Sequence, residues 1–209
     1  LVILDMGDPL KPRYVKTLNL VDVRASQQQF RYLFVTTKQG LQVVNVTDPE
    51  HAFMVEGATV PLNNAHKLHL ARTYAYVADG ADGLAIIDIT QPEHPQLYEL
   101  FNADGKLNDA RDVAIGSTNA SLFAYVADGN NGLKVIQLFS PQSQPKFYGF
   151  SPDPKPQLIA WFPTKKPALA LSRGLERDRG VDETGNQIAV FGRIGSRPFT
   201  LEEMKKLYL

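Results

Sequence analysis

The segment Tyr74-Ala-Tyr-Val-Ala-Asp-Gly80 is followed by Gly83-Leu-Ala-Ile-Ile-Asp-Ile-Thr90, and this pair of segments recurs along the chain. A second copy runs from Phe123 to Leu138, and a weaker copy runs from Tyr32 to Thr47. The leucine after the second glycine stands at positions 41, 84 and 133, so the repeats are 43 and 49 residues apart. Periods of this length are typical of propeller blades or solenoid repeats.

Each repeat is rich in β-branched and aromatic residues, which favour strands, and the runs are separated by turn residues. The links Asp79–Gly83 and Asp128–Gly132 contain Asp, Asn and Gly, which tolerate the positive φ angles of tight hairpins. In the repeat that begins near residue 110 we expect four antiparallel strands. These strands cover residues 112–115, 122–127, 133–138 and 146–150.

Four-stranded units packed radially protect their edges, so the sequence predicts an all-β fold, a β-propeller of antiparallel blades. A parallel solenoid would need short coils without repeated hairpin turns. We expect a partial first blade at residues 1–18 and a C-terminal tail at residues 195–209. Four further blades are expected between them, at residues 20–59, 65–101, 110–150 and 156–194. The strand count favours a ring of six to eight blades, with the remaining ones N-terminal or from another chain.

The composition narrows the classes of function. The chain has 22 Lys and Arg and 22 Asp and Glu, so no net charge attracts a nucleic acid or a membrane surface. No apolar run reaches the ~20 residues of a membrane-spanning helix, so we expect no transmembrane segment. The absence of cysteine excludes disulfides, a thiol nucleophile, a thiolate zinc site and covalently attached c-type haem in this sequence.

The strings Leu1-Val-Ile-Leu-Asp5, Leu84-Ala-Ile-Ile-Asp88 and Ala75-Tyr-Val-Ala-Asp79 resemble the LVIVD-repeat family of bacterial and archaeal secreted or surface proteins. The resemblance covers residues 1–150 well. It covers the last copy poorly, because Ala168–Ser172 replaces the Tyr-Val-Ala-Asp element. The resemblance implies an extracytoplasmic location and a multihaem c-type cytochrome as a partner that would carry haem. It implies no shared catalytic residue.

Three long loops are expected to share one face of the propeller, and binding residues concentrate on loops held by a rigid scaffold. They are the hairpin 173–186 and the loops 102–109 and 151–156. Arg173, Arg177 and Arg179 of the hairpin belong either to a salt-bridged cap or to a docking surface.

The entrances to the first strands place polar residues near the central channel, on that same face. These candidate ligand- or partner-binding residues are Asp22, His66, Lys67, Arg111 and Asp112. They form either a ring that binds a ligand, an ion or a partner side chain, or a rim whose members pair with one another and with water.

Metal and catalytic motifs are weak. His66 and His69 are three residues apart, which on a strand puts them on opposite faces, so one metal ion would not easily bind both. The acidic hairpins lack the downstream bidentate carboxylate of a calcium loop. The sequence contains no phosphate-binding loop and no recognisable nucleophile and base.

We therefore expect a non-catalytic extracytoplasmic propeller that serves as an interaction or assembly module, in its specific form within a multihaem cytochrome electron-transfer complex. The alternative is an enzyme or ligand-binding propeller that uses the channel mouth around His66, Lys67, Arg111 and Asp112. The capping box Thr200-Leu-Glu-Glu203 predicts a short C-terminal helix, which either docks on the blades or binds a partner.

Overall fold

A computed structural model describes residues 1–118, 121–146 and 149–172, and within the remainder residues 180–181, 187–189, 193–194, 197–198 and 202. The chain divides into two compact units, Leu1–Leu171 and Ser172–Leu209. Among the described residues, no helix has the length and the hydropathy of a membrane span.

The first unit consists of one two-stranded and three four-stranded sheets, all antiparallel. The two-stranded sheet contains β1 (Val2–Asp5) and β2 (Arg13–Thr17). The four-stranded sheets contain β3 (Ala25–Gln29), β4 (Tyr32–Thr37), β5 (Gly40–Asn45) and β6 (Phe53–Pro61); β7 (Leu68–Ala71), β8 (Tyr74–Ala78), β9 (Leu84–Asp88) and β10 (Gln96–Phe101); and β11 (Asp112–Thr118), β12 (Ser121–Ala127), β13 (Leu133–Phe139) and β14 (Gln157–Phe162).

Within each four-stranded sheet the strands follow one another in chain order, as a meander. The prediction of all-β, four-stranded antiparallel units is therefore confirmed, and the sheets are consistent with propeller blades. The sheets pack face to face through alternating side chains. Ala75 and Val77 of β8 lie in a core shared with the β3–β6 sheet, while Tyr74 and Tyr76 lie in a core shared with the β11–β14 sheet.

The glycine of the repeated Gly-Leu pair is required for the same two structural reasons in three sheets. Gly40, Gly83 and Gly132 all have positive φ angles, of 119°, 83° and 79°. At each position a Cβ atom would lie within 2.1–2.5 Å of a carbonyl oxygen of the fourth strand of the sheet. Only glycine allows both the turn and this close approach of the fourth strand.

The predicted fourth strand of the last repeat is wrong. Lys146, Gly149 and Phe150 lie outside any strand, and the strand that pairs with β13 is β14, beyond the expected boundary at residue 150. Prolines at 141, 145, 152, 154 and 156 flank the expected strand, and proline donates no hydrogen bond to a ladder.

The loop before β14 also lies at a different end of the sheets than expected. Ser151 bonds to Thr73 at 2.5 Å between the hydroxyl oxygens, and the Tyr74 hydroxyl donates to Asp153 at 3.0 Å. Thr73 belongs to the β7–β8 turn, which is opposite the β8–β9 hairpin. Residues 151–156 therefore do not share a face with the loop that enters β11.

The segment Ala168–Ser172 is not the second strand of a further blade. Ala168 instead pairs with Gly129, in the same way that Ala110 pairs with Gly80. Ala110 immediately precedes β11, so Ala168 occupies the position that leads into a first strand. The expectation that this segment replaces the Tyr-Val-Ala-Asp element, which is the second strand of a repeat, is therefore wrong.

The few described residues of the second unit include an antiparallel four-stranded sheet of short strands in chain order. They are β15 (Gly180–Val181), β16 (Gln187–Ala189), β17 (Arg193–Ile194) and β18 (Arg197–Pro198). Apart from Glu202, which has helical backbone, the predicted C-terminal helix lies outside the described residues.

Candidate functional site

The buried aspartate of the repeated Ala-Asp-Gly element anchors the entrance to the first strand of its own sheet. The Asp79 carboxylate accepts a hydrogen bond from the Asn64 amide at 2.7 Å. The Asp128 carboxylate accepts from the amides of Asn108 and Asp109 at 3.1 and 2.7 Å. Burial raises the pKa of both carboxyl groups above the ordinary value. Both aspartates thus fix the backbone that carries the candidate site.

At the same end, the glycine after each buried aspartate makes paired backbone hydrogen bonds with a later segment of the chain. Gly80 and Ala110 exchange two, at 3.0 and 2.9 Å, and Gly129 and Ala168 exchange two, at 3.0 and 2.8 Å. Because Gly80 follows buried Asp79, the β8–β9 turn anchors the entrance of its own sheet and also binds Ala110, at the entrance of the β11–β14 sheet.

Three side chains occupy equivalent positions in successive entrances. The amides of Arg24, His66 and Arg111 donate to the carbonyl oxygens of the last or next-to-last residue of the second strand, which are those of Thr36, Ala78 and Ala127. These three residues, with Asp22, Asn64 and Asp109, which stand two positions earlier, are here called the entrance cluster.

On one side of the entrance cluster, Arg24 joins two sheets. Its Nε and Nη2 atoms donate to Asp22 at 3.1 and 2.9 Å. Its Nη1 atom donates to the Asn64 side chain and to the Ala65 carbonyl oxygen, both at 2.8 Å. The side chain is about one quarter exposed, so it is positioned by both sheets.

On the other side, Arg111 joins the next pair of sheets. Its Nε atom donates to Asp109 at 2.6 Å, its Nη2 atom forms an ion pair with the same carboxylate oxygen at 2.5 Å, and its Nη1 atom lies 3.3 Å from Nε2 of His66. Burial, followed by the positive charges of Arg111 and Arg24, lowers the pKa of His66. His66 is therefore neutral at pH 7, and its Nε2 atom accepts the hydrogen bond because a guanidinium only donates.

The structure brings some predicted site residues together and separates others. Asp22, His66 and Arg111 all belong to the entrance cluster. Asp112 instead accepts from the Leu171 amide at 2.8 Å, and Lys67 has an exposed side chain outside the cluster. Arg173, Arg177 and Arg179 lie outside the described residues.

The two histidines of the entrance region are not on opposite sides. His69 Nδ1 accepts from the Ile115 amide at 3.0 Å, so both His66 and His69 contact the β11 segment. The strand-based expectation fails because β7 begins at Leu68, after His66. Gln27 contacts the Leu70 amide in the same way. Among the described residues, no group of three His, Asp or Glu side chains has metal-binding geometry.

Arg24, Asn64 and Asp109 were missed by sequence reasoning. Aligning the entrances on Ala65 and Ala110, rather than the hairpins on their glycines, would have placed Arg24, His66 and Arg111 in one column. The same alignment would have placed Asp22, Asn64 and Asp109 in another.

A second candidate region lies on the fourth strands. Leu97, Tyr98 and Leu100 of β10 and Ile159, Trp161 and Phe162 of β14, here called the outer-strand surface, are all exposed. Trp161 is 63% exposed and is the only tryptophan in the sequence. Between these strands lies a cleft of about 430 Å³, lined by Leu100, Phe101, Pro156 and Leu158 together with polar residues of the loop that follows β10.

A model of the LVIVD repeat matches residues 64–103 and 109–150. The chain carries LVIVD repeats. The two matched segments contain β7–β10 and β11–β13, the buried Asp79 and Asp128, and the His66 and Arg111 positions of the entrance cluster. A search of curated proteins returns no match to this LVIVD-repeat chain.

Proposed function

We propose that this LVIVD-repeat chain is a non-catalytic module for protein interaction or assembly, and that it binds its partner through the outer-strand surface. The observation that carries the proposal is the exposure of two aromatic side chains, Trp161 and Phe162, next to each other on β14. Aromatic side chains are enriched in the cores of protein interfaces, where they supply a large part of the binding energy.

The charges of the entrance cluster support a structural task at that position more than an acid–base one. Arg24 is paired with Asp22, and Arg111 is paired with Asp109. Within the described part of the chain, the cluster contains no serine, threonine or cysteine next to a base. A reaction would need a nucleophile or a positioned acid and base, as catalytic sites usually have.

The specific form of the proposal is an extracytoplasmic complex with a multihaem c-type cytochrome. It is supported by the likeness of the repeats to secreted and surface proteins. It is compatible with a sequence that contains no cysteine, because the partner would hold the haem covalently. The chain would then contribute a binding surface and no redox group.

The proposal is tested by comparing capture of haem-containing protein by tagged variants from an extracytoplasmic extract of the source organism. Trp161→Ser combined with Phe162→Ser should lower the captured haem absorbance at least about tenfold, which corresponds to loss of ~1.4 kcal/mol of binding free energy. The matched control is Phe30→Ser, because Phe30 is 89% exposed on the β3–β4 turn, outside the outer-strand surface.

Equal capture by the double variant and by Phe30→Ser would refute the outer-strand surface as the binding site. Absence of haem protein from every capture would refute the cytochrome partner. Circular dichroism of each variant verifies that the sheets remain folded, so that a loss of capture reports on the surface.

A further inference from the structure

The two arginines of the entrance cluster retain hydrogen-bond donors that the protein does not use. A guanidinium has five N–H donors. Arg24 uses four of them, on Asp22, Asn64 and Ala65. Arg111 uses two, from Nε to Asp109 and from Nη1 to His66, and its Nη2 atom forms an ion pair with the same Asp109 oxygen, so N–H groups on both Nη atoms have no hydrogen-bond acceptor among the described residues. The Arg111 side chain is 38% exposed, which leaves these donors accessible from solvent.

His66 adds a further donor next to Arg111. Its Nε2 atom accepts from Arg111, so the proton of the neutral ring is on Nδ1. The ring is only partly buried and lies against the Arg111 guanidinium, and the positive charge of Arg24 also acts on it. The side chains of three successive entrances thus bring cationic and N–H groups to one accessible place.

From this arrangement we infer that the entrance cluster binds a carboxylate group against Arg111 and His66, and that binding transfers a proton from solvent to His66. The carboxylate accepts the unused N–H groups of the Arg111 fork, a geometry that suits two oxygen atoms in a plane. Once His66 is protonated, its Nε2 atom becomes a donor and no longer accepts from Arg111.

The charge of the cluster selects a singly charged ligand. Arg24 and Arg111 are balanced by Asp22 and Asp109, so the empty cluster is neutral when His66 is neutral. Proton uptake gives one positive charge, which matches one carboxylate. A phosphate at pH 7 carries more negative charge and would face the repulsion of both aspartates, so it should bind more weakly.

The groups that face His66 determine the sign of the linkage. Arg111 and Arg24 disfavour its protonated form, while Asp109 and Asp22 favour it to a smaller extent. A bound carboxylate adds a negative charge beside the ring, so it favours the protonated form. Carboxylate affinity should therefore increase as the pH falls toward the pKa of His66 in the complex.

This inference is independent of the outer-strand surface and of a protein partner. It is tested by carbon-detected NMR of the ¹³C-histidine-labelled chain, titrated with pH at constant ionic strength in sodium chloride, sodium acetate or sodium phosphate. Acetate should raise the apparent pKa of His66 by about one unit or more, as an opposite charge within contact distance does. The signal of His94, an exposed loop residue, should not respond to acetate.

Two further probes distinguish the source of the carboxylate. Acetate represents a small free ligand, and an N-acetylated, C-amidated Gly-Glu-Gly peptide represents a protein side chain. A larger response to the peptide at equal concentration supports a partner's side chain, and an equal or smaller one supports a free small carboxylate; either supports the site.

Arg111→Gln should abolish the response of His66 to acetate, and Arg111→Lys, which retains the charge without the planar fork, should reduce it several-fold. The matched control is Arg31→Gln, outside the entrance cluster, which should leave the response intact. The inference is overturned if acetate moves His66 no more than chloride does, if phosphate acts as strongly as acetate, or if the Arg111→Gln protein responds like the unchanged protein.

Discussion

Replacing Gly83 by alanine should destabilise the protein through two separable effects. Gly83 has a φ of +83°, and an L-residue in left-handed backbone costs about 1–2 kcal/mol. The new Cβ would also lie 2.5 Å from the Phe101 carbonyl oxygen and 3.0 Å from the Asn102 Cα. Forcing extra atoms into a packed region costs typically about 1–3 kcal/mol. The sum, about 2–5 kcal/mol, is a large part of the ~5–15 kcal/mol by which a domain is stable.

The matched control for Gly83→Ala is Gly105→Ala. Gly105 has nearly the same φ, +80°, but a Cβ there would meet nothing within 4 Å. It should cost only the backbone contribution, about 1–2 kcal/mol. Urea unfolding followed by the fluorescence of Trp161 measures both variants. Equal losses of unfolding free energy would show that the fourth strand does not press on the motif glycine, and would refute the reasoning.

Three further predictions concern buried carboxylates and hydrogen bonds between the sheets. Asp79→Asn should become more stable relative to the unchanged protein as the pH rises from below 3.8. Burial raises the pKa of Asp79 in the folded protein, so its protonated carboxyl favours folding and this contribution is lost as the carboxyl ionises. Urea midpoints at pH 4 and 7 measure the difference between the two proteins, and a difference that does not depend on pH would contradict the prediction. Lys134→Met should cost about 3–5 kcal/mol by leaving the charge of buried Asp128 without its partner 3.9 Å away, and Asp128→Asn should recover part of that loss in the double variant. Tyr32→Phe and Tyr74→Phe should each cost about 1 kcal/mol in thermal unfolding, because the equivalent hydroxyls donate to Glu93 and Asp153 of the next sheet; a neutral effect at both positions would show that these bonds do not hold the sheets together.

The strands and turns were predictable because their causes are local. Successive side chains of Tyr74–Ala78 and Leu84–Asp88 point to opposite faces of the strand, and both faces are buried, so both strands are apolar almost throughout. The hairpin glycine is needed for the positive φ angle that Gly40, Gly83 and Gly132 share. Such features depend on neighbours within a few residues, so the sequence pattern records them. The four-stranded antiparallel sheets follow from the same pattern repeated.

The fourth strand of the β11–β14 sheet was missed because its cause is not local. Ser151 and Asp153, which precede β14, bond with Thr73 and Tyr74 of another repeat, and β14 begins only after them. Nothing within residues 146–150 records that detour. The spacing of the other repeats predicts this strand too early in the chain. The same error led to the wrong prediction that Ala168–Ser172 is a second strand.

The entrance cluster was predicted in part for a related reason. Sequence position indicated that Asp22, His66 and Arg111 lie near strand entrances, because the repeats align there. The pairing of His66 with Arg111 joins residues 45 positions apart, and that of Arg24 with Asn64 joins residues 40 positions apart. Those contacts depend on how successive sheets stack, which the pattern of one repeat does not determine.

Native mass spectrometry of the particle purified from the source organism tests the proposed function most directly. The account predicts a complex in which this polypeptide is accompanied by at least one further subunit that carries covalent haem. A particle that contains this polypeptide alone, without a second subunit and without haem, would contradict the assembly function.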